Sequence, residues 1–310
     1  LKSPNSLLAL VLLAGSVPAA LAQTAPAPSP NMPSDDEIRQ RLDAMPAEKR
    51  RQLAEALDQI ALLDDLQSGK CKRAPEVTMK AIQGDPESIY MRSEMYQKGW
   101  CIAKDLDHFH SDLEQAATLG VASASSDIGI YLLRGDAGYK RNIPMARAWF
   151  EKGIAQGNQP RSLLMLGALL LSGDGGPKDG MRGVHLLEQA ADARETDIQT
   201  SSRALAFLAS GYIQGDLLPR NLSEGRKYAL RGARQCDAAS MNIAATSYAL
   251  ETPPDLVDAY AWANVATAHG DDATNADAVR IRSDAEKRMT TSAIAQAQTL
   301  SRTLAVCLPK

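Results

Sequence analysis

Aromatic residues fill only 5% of the 310 positions, with 3 Phe and 3 Trp, and runs of β-branched residues are missing. Sheet cores draw on those side chains, whereas Ala, Leu, Met, Gln, Glu and Arg recur here in long stretches, so the expected class is all-α. A large excess of either sign is lacking as well. A formal net charge of −3 offers no basic field for neutralising phosphates, and nucleic acid is not an expected partner. The apolar run Leu7–Leu13 falls short of the roughly 20 residues a spanning helix needs, so no transmembrane segment is expected in a mature chain. The elements S-x-x-K, G-x-S-x-G and C-x-x-C are all lacking. Gly173-Asp174-Gly175-Gly176 has no Gly-Lys-Ser/Thr to follow it and reads as a mobile connector rather than a phosphate loop. No catalytic residue, metal or cofactor is therefore expected. What the chain does hold is 45% hydrophobic residues, enough for a continuous core.

The N-terminal stretch has the form of an export signal. Lys2 precedes the apolar run, and Ala20-Leu21-Ala22 forms an A-x-A cleavage site, so residues 1–22 are expected to be removed and the mature chain to begin at Gln23. Residues 23–33 are a Pro/Ala-rich linker, Ala25-Pro26-Ala27-Pro28-Ser29-Pro30 being a composition that stays extended. Ser34-Asp35-Asp36-Glu37 has capping-box spacing and opens an N-terminal helical cap over residues 34–68. Within it Leu53, Leu57, Ile60 and Leu63 form an apolar stripe that must dock, either onto the rest of the chain or onto a second copy.

Internal repetition dominates the remainder. Gly99, Gly135, Gly173 and Gly215 each close an amphipathic run; three residues earlier stand Tyr96, Leu132, Leu170 and Tyr212, and six earlier the small residues Ser93, Gly129, Gly167 and Ala209. A fifth copy keeps Tyr248 and Ala245 but has Glu251 in place of glycine. The spacing, about 36 to 42 residues, is that of helix-pair repeats, and the small residues suit a close helix approach. A second helix follows each run, marked by Trp149, Gly153 and Gly157, by Tyr228 and Gly232, and by Trp262, Ala266 and Gly270. Asp112, Ala116 and Gly120, and Leu186, Ala190 and Arg194, are weaker copies in register.

These residues resemble the Sel1-like repeat family, relatives of the tetratricopeptide repeats, with the pattern L-G-x-x-Y-x-x-G, then an acidic or Asn residue, then A-x-x-W-x-x-A-A-x-x-G. Ile128-Gly129, Leu132, Gly135, Asn142, Ala146, Trp149, Gly153 and Gly157 match best, and the likeness runs from Val77 to Gly270. It departs at Arg92-Ser93, where Leu-Gly is usual. The resemblance implies a right-handed α-solenoid over residues 69–270, closed by a C-terminal helical cap over 271–310, and a role as an adaptor in the periplasm or at the cell surface. Some cysteine-rich relatives have been linked to penicillin binding or hydrolysis, although the serine element that such chemistry uses is missing here.

Four cysteines, an even number in an exported chain, read as disulfides. Cys71 and Cys101 fall at one end of the same helical hairpin, and counting chain reversals brings Cys236 back beside Cys307. His108 and His110, two apart on a helix, point in opposite directions and do not make a metal site.

The family's concave face falls on positions nine, five and two before each glycine. Here those give Tyr90, Glu94 and Gln97, Ile130 and Leu133, Leu164 and Leu171, and Ile213, with Asn242 and Thr246 in the fifth copy and Arg161 and Arg203 fringing the row. An apolar centre with polar edges suits a protein or peptide partner in the cell envelope. Packing of these leucines against neighbouring first helices is the alternative, and a cell-wall or polysaccharide-binding module is the alternative function.

Overall fold

The computed structural model describes residues 44–195, 197–269 and 272–305. The signal and linker expected over 1–33, the opening of the N-terminal cap and Cys307 lie outside them. Among the described residues there are fourteen α-helices, a short 3-10 turn at Ala193–Glu195 and no strand. None of these helices is long and apolar enough to cross a membrane. Two compact units divide at Asp112 and Leu113.

In the first unit, α1 (Ala47–Gln67), α2 (Ala74–Ile82) and α3 (Pro86–Lys98) precede the opening turns of α4 (Leu106–Thr118). Leu53, Leu57, Ile60 and Leu63 are half-buried, and only Asp65 and Leu66 of α1 are fully buried. Leu66 joins Ala74, Val77 and Met95 in a cluster against which Cys71, Trp100 and Cys101 pack. The expected Cys71–Cys101 disulfide is present, with the Cα atoms 5.4 Å apart. Asp65 accepts the backbone N–H of Arg73 at 2.8 Å, and the Arg73 guanidinium reaches Asp58 at 2.9 Å, which fixes the α1–α2 corner.

The second unit runs through helical hairpins α5 (Ala122–Arg134) with α6 (Ile143–Gly157), α7 (Pro160–Ser172) with α8 (Gly180–Asp192), α9 (Ile198–Gln214) with α10 (Leu222–Ala233), and α11 (Ala238–Ala249) with α12 (Leu256–His269). Local chemistry explains each joint. Gly99, Gly135, Gly173 and Gly215 end their helices in the left-handed conformation, which costs glycine nothing. A few residues on, Asn142, Asp179 and Asn221 cap the second helices by accepting the N–H three residues later. The fifth copy, without its glycine, ends in a right-handed turn at Leu250 instead.

Glycine inside the helices lets backbones approach. A Cβ on Gly129 would lie 2.5 Å from the Phe150 ring, and one on Gly167 would lie 2.8 Å from Leu187. Each hairpin also packs on the next, α6 on α7, α8 on α9 and α10 on α11. Gln156 at the end of α6 ties α4 to α5 by donating to the Ala117 carbonyl and accepting from Ser125; Gln235, just after α10, bonds Ser201 and Ser202 of α9, and Ser201 donates to the Ala191 carbonyl of α8. Successive first helices touch, α5 to α7 to α9 to α11, whereas no pair of second helices does so to a comparable extent. First helices therefore line the inner side of this unit.

Beyond α12 come α13 (Asp272–Arg288) and α14 (Thr291–Leu304), packed on it around Tyr260, Ala285 and Ala297. Cys236 is disulfide-bonded. The loop expected to be a mobile connector is instead clamped: Arg147 donates to the Asp174 and Pro177 carbonyls, and a Cβ on Gly175 would meet Ile143 at 2.7 Å. Its glycines serve close contact as well as the positive φ that Gly173 and Gly175 adopt.

Candidate interaction face

Each first helix turns its sequence into a set of rows, and the structure shows which rows reach solvent. Leu132 and Leu170, three before the glycine, are buried as expected, and the six-before glycines meet the second helix. The two-before row was expected on the groove, and it divides: Gln97 and Leu133 are half-buried, whereas Leu171 and Ile213 are not on an open face. Leu171 and Ile213 are 0% and 3% exposed, and they fill the space over Gly183 of α8 and Gly225 of α10. Leu164, nine before, is also buried at 5%. These three corrections share one cause. At about 100° per residue the six-before position lies about 60° round from the three-before position, so the buried face is centred between them and spreads over the two-before and nine-before positions. A reference direction taken from one core residue pointed the expected groove too far into the hairpin.

The five-before row does stay accessible: Ile130, Ala168, Ser210 and Thr246 are all half-buried in the second unit, and Glu94 is so in the first. Leu133 and Asn242 are half-buried, as is Tyr90, whose backbone carbonyl accepts from Ser93. Beside the five-before row runs an eight-before row that sequence reasoning missed, made of Asp127, Met165, Phe207 and Ile243, the last three half-buried. Its signal was present in the sequence as Met165, Phe207 and Ile243, eight residues before Gly173, Gly215 and Glu251.

Arg161, expected at the fringe, shows how the rows meet. Its Nη1 lies 3.0 Å from Asp127 Oδ1, joining the start of α7 to the middle of α5 across the inner side. Asp127 is 7% exposed, so the pair stays dry on one side and open on the other. One repeat later the same places hold Arg203 and Met165; Arg203 is exposed. Next to Arg161 opens a cleft of about 880 Å³ between the α6–α7 and α8–α9 turns, lined by Asn158, Gln159, Leu163, Gln189 and Asp197 among others. Several of these are already held: Gln159 donates to Ser123 at 2.7 Å, and Asp197 accepts from Thr200. The cleft is a shaped recess rather than a reactive one.

The remaining titratable groups build the frame. Tyr228 donates to Glu188 at 2.6 Å; burial first, then that bond, pushes its phenol well above the usual range. His108 bonds Asp105 and stacks on Tyr96, while His110 packs beside Phe109. No cluster of three or more metal-ligating side chains occurs among the described residues.

A Sel1 repeat family model matches residues 86–108, 122–158, 160–194 and 202–235. No curated protein matches the chain. Among solved structures, a Sel1 repeat protein from Oxalobacter formigenes is similar over 73% of this chain and 97% of its own, at 22% identity and a TM-score of 0.56. A second, c5321, is described as a protective antigen of uropathogenic Escherichia coli strains displaying an SLR fold. It aligns over 82% of this chain and 63% of its own, at 19% identity and a TM-score of 0.45. The chain thus carries Sel1 repeats in four places and shares its all-helical fold with a solved Sel1 repeat protein.

Proposed function

We propose that this chain is an exported, non-catalytic scaffold that holds a protein partner against the inner side of the first helices of its second unit. Sel1 repeats generally serve as scaffolds for protein–protein interaction. The observation that carries the reading is the strip formed by Ile130, Met165, Phe207 and Ile243, half-buried side chains with the small residues Ala168 and Ser210 between them and the Asp127–Arg161 pair at one edge. A largely apolar centre with a polar edge is the anatomy of a protein interface, and a strip with one aromatic favours a peptide over a sugar. Export is supported by Lys2, the apolar run and the A-x-A site, and it agrees with the bonded state of Cys71, Cys101 and Cys236.

Affinity capture from an envelope extract, with the native chain and with Phe207→Asp, tests the face. The variant should melt with the native protein and lose the partner by at least tenfold, since a half-buried Phe contributes burial of roughly 1 to 3 kcal/mol on binding. A variant that folds and keeps its partner moves the site elsewhere. N-terminal sequencing of the recovered protein should begin at Gln23; an intact leader would refute export.

A further inference from the structure

The last turns of α8 and α10 enclose a recess of about 270 Å³ lined by Ala191, Asp192, Arg194, Arg231, Arg234 and Gln235. We infer that it is an anion site, taking a carboxylate or phosphate group through two or more guanidinium groups.

Charge counting points there first. Among the described lining residues three are arginines and one, Asp192, is a carboxylate, which lies 2.9 Å from Arg231. Arg194 and Arg234 are exposed, and neither has an ion-pair partner among the described residues. The two helix C-termini favour cations, yet each amounts to roughly half an elementary charge, so positive charge remains in excess. That excess is local, because the chain as a whole is at −3.

Rigidity is the second point. Gln235 is held through both ends of its amide, accepting from Ser202 at 2.7 Å and donating to Ser201 at 3.0 Å, and Ser201 in turn donates to the Ala191 carbonyl. The floor is therefore fixed while the guanidinium arms reach over it, and a planar fork is the donor set that carboxylate and phosphate oxygens accept in pairs. The arginines are also exposed enough to exchange Asp192 for an incoming group, since the Arg231 and Asp192 side chains are 42% and 73% exposed.

Calorimetric titration of the full chain with inorganic phosphate, and separately with a synthetic peptide of Asp and Glu residues, at constant ionic strength tests this. Either probe should bind saturably to the native chain and at least tenfold more weakly to the Arg194→Gln/Arg234→Gln double variant. Arg134→Gln, exposed at the end of α5 and outside the recess, should bind as the native chain does, and circular dichroism should show all three folded alike. The probe that binds identifies the source of the anion. No saturable binding of either probe, or equal binding to the double variant, overturns the assignment. That failure leaves the inner-face reading standing, because Phe207→Asp tests it through a different surface.

Discussion

Replacing both Cys71 and Cys101 separates two opposing terms at one joint. Their bond closes a loop with a sequence separation of 30, and the chain-entropy relation for a loop of that size gives about 3.6 kcal/mol at 25 °C. Both residues have positive φ, 57° and 63°, a conformation that costs a side chain bearing Cβ about 1 kcal/mol or more. A Cys71→Ser/Cys101→Ser chain loses the cross-link and keeps the strain; Cys71→Gly/Cys101→Gly loses the cross-link and relieves it. The serine pair should therefore destabilise the α2–α3 hairpin by about 3.6 kcal/mol, a fall of roughly 400-fold in the protection of its most slowly exchanging amides. The glycine pair should recover about 1 to 2 kcal/mol of that. Amide hydrogen exchange read by mass spectrometry on peptides spanning Pro86–Lys98 reports the joint directly. A serine variant that loses less than about 1 kcal/mol would show that the bond does not constrain this hairpin. Equal protection in the serine and glycine pairs would show that the left-handed cysteines carry no strain.

Arg92 meets Asp112 through two hydrogen bonds, at 2.7 and 2.8 Å, with the side chains 17% and 6% exposed, so Arg92→Ala strands a buried carboxylate. A loss of about 3 to 5 kcal/mol is expected by urea unfolding, and Arg92→Ala/Asp112→Ala should lose less than the sum of its parts. The hydroxyls of Ser162 and Ser240 are buried without a partner, each against a helix glycine, Gly153 and Gly232. Ser162→Ala and Ser240→Ala should each stabilise the fold by about 1 kcal/mol, read as a higher thermal midpoint, and a lowered midpoint would show a partner for the hydroxyl. Asp258 is pushed up by burial and then by Asp255, so its ionised form is disfavoured in the fold. The stability tied to it is fully present below the unfolded pKa of about 3.9 and is lost as pH rises through the folded value. Asp258→Asn should accordingly stabilise the protein at pH 7, with the gain shrinking to nothing in acid; a pH-independent gain would trace it to packing instead.

Much of the fold is local chemistry and could be read from the chain. A glycine that ends a helix in the left-handed conformation, an Asn or Asp a few residues later that caps the next helix, and a small residue six positions before the glycine are each defined by their own neighbourhood. Repetition multiplied that signal, and the same hairpin logic placed Cys71 beside Cys101. The inner face was less legible, because its direction is set by two packing partners at once. The second helix of the same repeat claims Leu171 and Ile213, while the neighbouring first helix decides how far Ile130, Met165 and Phe207 are covered. A helical wheel knows the angle between side chains but not the angle at which neighbours arrive. The Arg147 clamp on Asp174 and Pro177, and the gathering of Arg194, Arg231 and Arg234 at the ends of two helices from different repeats, exist only once the hairpins are stacked. Sequence alone determined where four of the first helices end, at Gly99, Gly135, Gly173 and Gly215; the stacking of hairpins decided which side chains remain for a partner.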